Sequence, residues 1–177
     1  MASAEALSIS VAVPGGGEPL RLTWDRHAAE SLAADGAAAE GRSPWRLEGE
    51  PDWEAAEALR LVSAVFEDGR ALALAALRPR GTAGHDRDSV AHHLEESGER
   101  IALTEALLST EYDAHGLPRR IGVELWAEPE SPPMRLAADR QGGVEVVGDG
   151  VRRELAHMSF RLEGTSGTGT YELLERA

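Results

Sequence analysis

Imidazole and carboxylate side chains are concentrated in the stretch GHDRDSVAHHLEESGER, residues 84–100, of a chain otherwise rich in Ala and Leu. The residues in this stretch that we predict to be catalytic are His85, Asp86, Asp88 and His92. A histidine at a cavity mouth titrates near neutral pH and can move a proton in either direction, and a neighbouring carboxylate fixes its tautomer. Hydration, isomerisation or cyclisation of an apolar substrate needs little more than such a pair in a shaped apolar space.

The local pattern predicts a short helix over residues 89–96, which Asp88 caps and Ser97-Gly98 ends. On that helix His92 and Glu96 would share one face, because they are four residues apart. Two other interpretations stay open. The stretch can be a solvated connector between strands, which is the commoner case, or a metal site of nitrogen and oxygen donors. Because HHLEE does not match the HEXXH signature, no metal is predicted.

A second set of polar residues interrupts two strands that are otherwise apolar. The residues of this set that we predict to bind a ligand are Glu105, Tyr112, Glu124 and Trp126. Thr104 and Thr110 are further polar positions on the first of these strands. A cavity that orients its ligand needs a few such hydrogen-bonding groups, although an ordinary half-exposed strand has the same pattern.

The segment ELAHMSFRLEG has one apolar row and one polar row. The apolar row is Ala156, Met158, Phe160 and Leu162, and the polar row includes His157, Ser159 and Arg161. Period two does not tell which row faces inward. The ordinary interpretation places the polar row in water, whereas the functional one makes His157 and Arg161 ligand-binding residues.

Composition restricts the kinds of chemistry and of partner. The net charge is −13, and the sequence has neither Lys nor Cys, so lysine imines, thiolate chemistry and disulfides are excluded. The acidic balance disfavours binding to nucleic acid and to anionic membranes. No nucleotide-binding motif is present, so no cofactor is predicted. The N-terminal residues do not have the pattern of a signal peptide, and a cytoplasmic location is expected.

Short alternating segments dominate the chain. ALSISVAVP and PLRLTW predict a first hairpin, and residues 58–79 predict a second, with its turn at Asp68-Gly69. Residues 99–128 predict a third, and four short strands follow, with turns at DRQGG, GDG and EGTSGTG. Asp25 caps a helix through about Ala34, and Gly36 ends it.

These elements predict an all-β, lipocalin-like antiparallel barrel or curled sheet with one or two short helices. We expect a single domain over residues 1–177, with a helical or flexible insertion near residues 25–43. A helix-grip fold is the main competitor, but the C-terminal SGTGTYELLERA is too short and too rich in glycine for the long helix of that fold.

Residues 99–177 resemble lipocalin-like proteins related to hydroxyneurosporene synthase, a carotenoid hydratase. The resemblance rests on a hairpin with Tyr112, Asp113, Gly116 and Pro118, and on a final strand with Gly167, Gly169 and Glu172. Upstream, GHDRDS resembles in degenerate form a glycine, arginine, aspartate, histidine and serine segment of relatives. The resemblance implies a large antiparallel sheet curled around an apolar ligand space, in a family whose hydratases and cyclases act on terpenoid or polyketide-like molecules.

The sequence therefore predicts a protein that binds a small apolar molecule in a barrel cavity, with or without acid–base conversion of that molecule. The alternative is a non-catalytic accessory or protein-interaction domain. A homodimer is compatible with either function.

Overall fold

The computed structural model describes residues 6–13, 15–36, 41–81 and 88–177. Within those ranges the elements are, in chain order, β1 (Ala6–Val11), β2 (Leu20–Asp25), α1 (Arg26–Asp35), β3 (Trp45–Leu47), β4 (Ala56–Phe66), β5 (Arg70–Pro79), β6 (Ser89–Glu96), β7 (Glu99–Ile101), β8 (Glu105–Tyr112), β9 (Pro118–Trp126), β10 (Met134–Gly148), β11 (Val151–Leu162) and β12 (Thr165–Arg176). The all-β prediction is confirmed.

Two antiparallel sheets form the molecule. The large sheet has the strand order β7-β6-β5-β4-β12-β11-β10-β9-β8 and curls into a half-barrel, and the small sheet has the order β1-β2-β3. Neighbours in the large sheet are also neighbours in sequence, except that β12 returns to pair with β4. The chain is thus a series of hairpins, and the predicted turn at Asp68-Gly69 connects β4 to β5.

The large sheet separates two hydrophobic cores. The interior core lies on the concave side and takes side chains from the walls on both flanks, among them Val62, Leu108 and Met158. The outer core lies behind β4 and β5, where the small sheet and α1 cover residues such as Leu59 and Leu61. Because successive strand residues face opposite sides, both cores draw on the same strands. This explains why β4 and β5 are apolar almost throughout.

Helix α1 has the predicted caps. The Asp25 carboxylate accepts a hydrogen bond from the backbone N–H of Ala28 at 3.0 Å. Gly36 follows the helix with a positive φ of 56°, a conformation that glycine adopts readily. The helix buries Ala29 and Leu32 and covers the outer side of the large sheet.

The predicted helix over residues 89–96 is wrong, because this segment is the strand β6. Eight consecutive residues of β6 pair with β5, from Ser89 opposite Leu77 to Glu96 opposite Arg70. Pairing with an apolar neighbour outweighs the weak helix preference of Ala, Leu and Glu. Ser97 and Gly98, with φ values of 51° and 86°, form the tight turn into β7 instead of a helix end.

The predicted turn at DRQGG, residues 139–143, is also wrong. Residues 134–148 form one continuous strand, β10, in which the pairing with β11 shifts between Arg140 and Gly142. The extra residue is therefore accommodated as a β-bulge. A Cβ on Gly143 would lie 2.8 Å from both Arg140 Nη2 and Glu154 Oε1, so the glycine leaves space for that ion pair.

The glycines of the last strand allow close contact between β12 and β4. A Cβ on Gly169 would lie 1.8 Å from the carbonyl oxygen of Ser63, and a Cβ on Gly167 would lie 2.5 Å from the ring of Phe66. No side chain fits at either position without moving β4. The two glycines are therefore explained by packing between the strands.

Candidate functional site

Four polar side chains converge on the concave side of the large sheet. Arg60 comes from β4, Asp88 from the residue before β6, Thr110 from β8 and Tyr171 from β12. Arg60 Nη1 donates a hydrogen bond to Thr110 Oγ1 at 3.0 Å, and Arg60 Nη2 donates to the Asp88 carboxylate. We call these four residues the Arg60 cluster.

The alternation of β4 and β12 directs Arg60 and Tyr171 inward. Arg60 stands between Leu59 and Leu61, which both belong to the outer core. Tyr171 pairs in register with Val62, and both belong to the interior core. The Arg60 guanidinium is consequently buried on the concave side, and the side chains of Arg60 and Asp88 are each only 1% exposed.

Tyr171 is held as a neutral phenol. Its hydroxyl lies 3.0 Å from Thr110 Oγ1. Burial raises its pKa, and the neighbouring Tyr112 phenol raises it further, whereas the positive charge of Arg60 acts in the opposite direction. Tyr112 itself is 43% exposed, so it places a second hydroxyl between the buried cluster and solvent.

Asp88 lies between two guanidinium groups. Besides Arg60, Arg78 approaches it, with Nε 3.6 Å from Asp88 Oδ1. Removing charges from water costs several kcal/mol per ion, so a buried pair needs close partners of this kind. Arg60 Nε and Asp88 Oδ1 have no hydrogen-bond partner among the described residues. The cluster thus retains one donor and one acceptor.

A second ion pair lies on the same side of the sheet. Arg140 Nη2 is 2.8 Å from Glu154 Oε1, and Glu154 is 4% exposed. Glu154 is opposite Leu173 in the register of β11 and β12, and Leu173 is opposite Arg60 in the register of β12 and β4. The concave side is therefore polar near the beginning of β4. It is apolar toward Phe66, Leu94, Leu125 and Leu162.

The structure places the four predicted catalytic residues differently. His85 and Asp86 lie outside the described residues. Asp88 belongs to the Arg60 cluster. His92 is four residues from Asp88 on an extended strand, about 13 Å away, so these two side chains do not meet. Burial lowers the pKa of His92, and the charge of Arg100 lowers it further, which favours the neutral imidazole.

The six predicted ligand-binding residues are also divided. Tyr112 is next to the Arg60 cluster. Glu124 and Arg161 line a groove of about 370 Å³ on the convex side, where they alternate with interior-core residues of their strands. Glu105 and Trp126 are opposite each other in the register of β8 and β9, and they alternate in the same way.

The apolar row of β11 faces inward, since Ala156, Met158, Phe160 and Leu162 all belong to the interior core. The polar row with His157 and Arg161 consequently faces away from the concave side, as the ordinary interpretation predicts. Any ligand contact of these two residues would take place on the convex surface.

Sequence reasoning missed Arg60 and Tyr171. A signal for Arg60 was available, because it is the one charged residue within the apolar run ALRLVSAVF. Tyr171 gave no such signal, since a tyrosine in a strand is ordinary. Thr110 was recognisable only as a polar position in a Leu-rich strand.

No family model and no curated protein matches this sequence significantly. The resemblance of residues 99–177 to the carotenoid hydratase group therefore stays a prediction.

Two further properties concern the described part of the chain. It contains no group of three His, Asp or Glu side chains arranged to hold a metal ion. Its helix is too short to cross a membrane.

Proposed function

We propose that the protein binds a small, largely apolar molecule on the concave side of the curled sheet, with the polar end of that molecule against the Arg60 cluster. The observation that carries this proposal is the buried side chain of Arg60, 1% exposed, next to the apolar lining of the interior core. Ligand sites in proteins combine apolar walls with a few placed polar groups, and this side of the sheet has that composition.

Two atoms of the Arg60 cluster without a hydrogen-bond partner indicate which polar group the ligand would carry. Arg60 Nε can donate one hydrogen bond, and Asp88 Oδ1 can accept one. A hydroxyl group can accept the first and donate to the second. A terpenoid or polyketide-like alcohol, apolar along most of its length, therefore fits the proposal.

Acid–base conversion is the finer part of the proposal. Asp88 is the carboxylate nearest to the predicted ligand hydroxyl. The neutral phenol of Tyr171 would act as a hydrogen-bond donor and not as a base, because its pKa is raised by burial. Loss or gain of water at an alcohol carbon requires a proton to move at the oxygen, and in this proposal Asp88 exchanges that proton.

The first test is mass spectrometry of small molecules that co-purify with the protein from its native host. In parallel, binding of farnesol, a C15 alcohol, is measured with Thr110→Val and its neighbour Ser109→Ala. These two residues are adjacent on β8 and face opposite sides of the sheet. Thr110→Val should weaken binding about tenfold, because it removes the Thr110 hydrogen bond that orients the Arg60 guanidinium toward the ligand. Ser109→Ala should leave it unchanged.

Equal affinity of the two variants, or no binding by the parent protein to farnesol or to a panel of terpenoid and polyketide alcohols, would contradict the proposal. Melting temperatures of both variants show whether each remains folded.

A protein-interaction function is the second candidate, favoured by the exposed edge that the second half of β10 forms. Beyond Asp139, β10 pairs with β11 alone. Val146 and Val147 in this part are 58% and 61% exposed. Two adjacent exposed valines on opposite faces of this edge-strand segment suit a contact with another chain. Analytical ultracentrifugation of the parent and of Val146→Asp tests this function. A parent protein that is dimeric and a Val146→Asp variant that is monomeric would support an interface at this edge. If both proteins are monomeric, the protein does not form a homodimer.

A further inference from the structure

A histidine outside the Arg60 cluster is held in a defined orientation. His93 Nε2 lies 2.8 Å from Glu95 Oε2, and the other carboxylate oxygen of Glu95 lies 2.9 Å from Arg26 Nη1. Arg26 is the first residue of α1, so this chain of contacts joins the helix to β6. The side chains of His93 and Glu95 are 11% and 10% exposed.

The carboxylate fixes the tautomer of His93. Glu95 accepts a hydrogen bond from Nε2–H, which leaves Nδ1 as the basic nitrogen of the neutral ring. The Trp24 ring lies next to the imidazole, with ring centroids 6.1 Å apart and a tilt of 49°. An imidazole that is oriented by a carboxylate and packed against an aromatic ring is prepared for proton transfer at its free nitrogen.

Two neighbouring cavities meet at His93, between β1 and β6. Their volumes are about 270 Å³ and 220 Å³, and both are lined by Leu7 and His93. The larger cavity is also lined by His92 and Arg100. The smaller one includes Trp24, Arg26 and Glu95. The cleft therefore combines an oriented base with an arginine in a chain of net charge −13.

We propose that this cleft is a second site, which binds a small 2-oxo acid and in which His93 moves a proton at the carbon next to the carbonyl. The carboxylate of the acid would pair with Arg100, beside His92, and the adjacent C–H would face His93 Nδ1. His93 is then a catalytic residue, and Glu95 and Arg26 are positioning residues. The site is independent of ligand binding on the concave side, because His93 alternates with His92 and Leu94 and lies on the outer side of β6.

The proton transfer requires no reactant besides the oxo acid and His93. The C–H bond breaks and its proton goes to His93 Nδ1. The C–H electron pair forms a carbon–carbon double bond, and the π electrons of the carbonyl group move onto its oxygen, which gives the enolate. The resulting imidazolium is paired with Glu95. Return of a proton from solvent-exchanged His93 to the carbon restores the oxo acid.

The groups that face His93 include charges of both signs. They are Trp24 from β2, Arg26 from α1, Glu95 from β6 and Arg100 from β7. The adjacent His92 also lines the larger cavity. Glu95 contacts Arg26 with one carboxylate oxygen and His93 with the other, so the carboxylate is fixed in a position that orients the imidazole ring.

The test follows incorporation of deuterium into the methyl group of pyruvate in D2O by proton NMR, with the full chain. The sequence has no lysine, so exchange through a lysine imine cannot occur. We expect the parent protein to accelerate exchange at least about a hundredfold over buffer, the lower range of general base catalysis. His93→Gln should lose this acceleration, whereas His115→Gln, in the exposed β8–β9 turn, should keep it.

A second variant changes Arg100, which is exposed, so its substitution should leave the outer core intact. Arg100→Gln should raise the pyruvate KM several-fold and leave kcat nearly unchanged, and Arg119→Gln, another exposed arginine, should change neither. No acceleration by the parent protein with pyruvate, 2-oxobutyrate or phenylpyruvate overturns the proposal. Undiminished exchange in a folded His93→Gln overturns it as well. If His93→Gln does not fold, an unchanged pyruvate KM in Arg100→Gln overturns the proposal. Farnesol binding by the same preparations reports separately on the concave side.

Discussion

The Arg60 guanidinium and the Thr110 hydroxyl are 3.0 Å apart, although β12, β11, β10 and β9 lie between their strands in the sheet. Neighbouring strands are spaced by about 4.8 Å, so a flat sheet would separate these residues by more than 20 Å. The contact therefore joins opposite walls of the curled sheet. It also places a charge next to the buried apolar side chains of the interior core.

Removal of Arg60 should strongly destabilise the protein. Arg60→Met leaves Asp88 buried with Arg78 as its remaining described cationic partner, and we expect a loss of about 3–5 kcal/mol in the free energy of unfolding. The double variant Arg60→Met/Asp88→Asn should lose less than the sum of the two single changes, because they share one interaction. Urea unfolding gives these values. Arg119→Met is the matched control, with an expected change within about 0.5 kcal/mol. Additive losses would show that the pair is not coupled.

Tyr171 should not ionise while the protein is folded. The chain has two tyrosines, so Tyr112→Phe makes Tyr171 the remaining one. Because burial raises its pKa above the ordinary 10.0, the phenolate absorbance should appear only when alkali unfolds the protein. The unfolded chain loses this proton at lower pH than the folded chain, so stability should fall as the pH rises above about 10. A phenolate signal from the folded Tyr112→Phe variant near that pH would refute the buried position.

Glu172 should make the stability of the outer side dependent on pH. It is fully buried beside Ser43 and Arg153, and burial raises its pKa above 4.5 more than these two partners lower it. Below pH 4.5 the carboxyl is protonated in both states, and as the pH rises the unfolded state loses its proton first. Glu172→Gln should therefore gain stability relative to the parent as the pH rises from about 4 to 7. A constant difference across a urea unfolding series at several pH values would contradict this.

The glycines of β12 should not tolerate a side chain. Gly169→Ala places a methyl group against the carbonyl oxygen of Ser63 and should cost more than about 3 kcal/mol, or prevent folding. Gly148→Ala, at the end of β10, meets nothing within 4 Å and should change stability by less than about 1 kcal/mol. Thermal unfolding of the two variants compares them directly. Similar melting temperatures would mean that β12 and β4 are not in close contact.

Local sequence patterns were sufficient to predict the β4–β5 hairpin and helix α1. The hairpin has a continuous apolar pattern on both sides of Asp68-Gly69, and the helix has a capping aspartate and a terminal glycine. The same reasoning failed at residues 89–96, where pairing with β5 decides the structure. It also failed at Gln141, where a bulge replaces the expected turn. Both errors concern tertiary pairing, which a local pattern does not contain.

The site was predictable only in part. Asp88 and Tyr112 were selected for their chemistry, and Thr110 for its position among leucines. Arg60 and Tyr171 are separated by more than a hundred residues and meet because β12 pairs with β4. That pairing connects distant parts of the chain, and no local spacing reports it. The His93–Glu95 contact was missed because a helix would separate two side chains that a strand places on one face.

The most direct test of ligand binding on the concave side uses methionine methyl signals. The chain has three methionines, and Met158 is fully buried in the interior core. With methyl-13C methionine, and with Met158→Leu to assign the signal, farnesol is titrated into the protein. Binding on the concave side should move the Met158 signal saturably with one-site stoichiometry, and Thr110→Val should weaken that response about tenfold. A Met158 signal that stays unchanged up to the solubility limit of farnesol would contradict it.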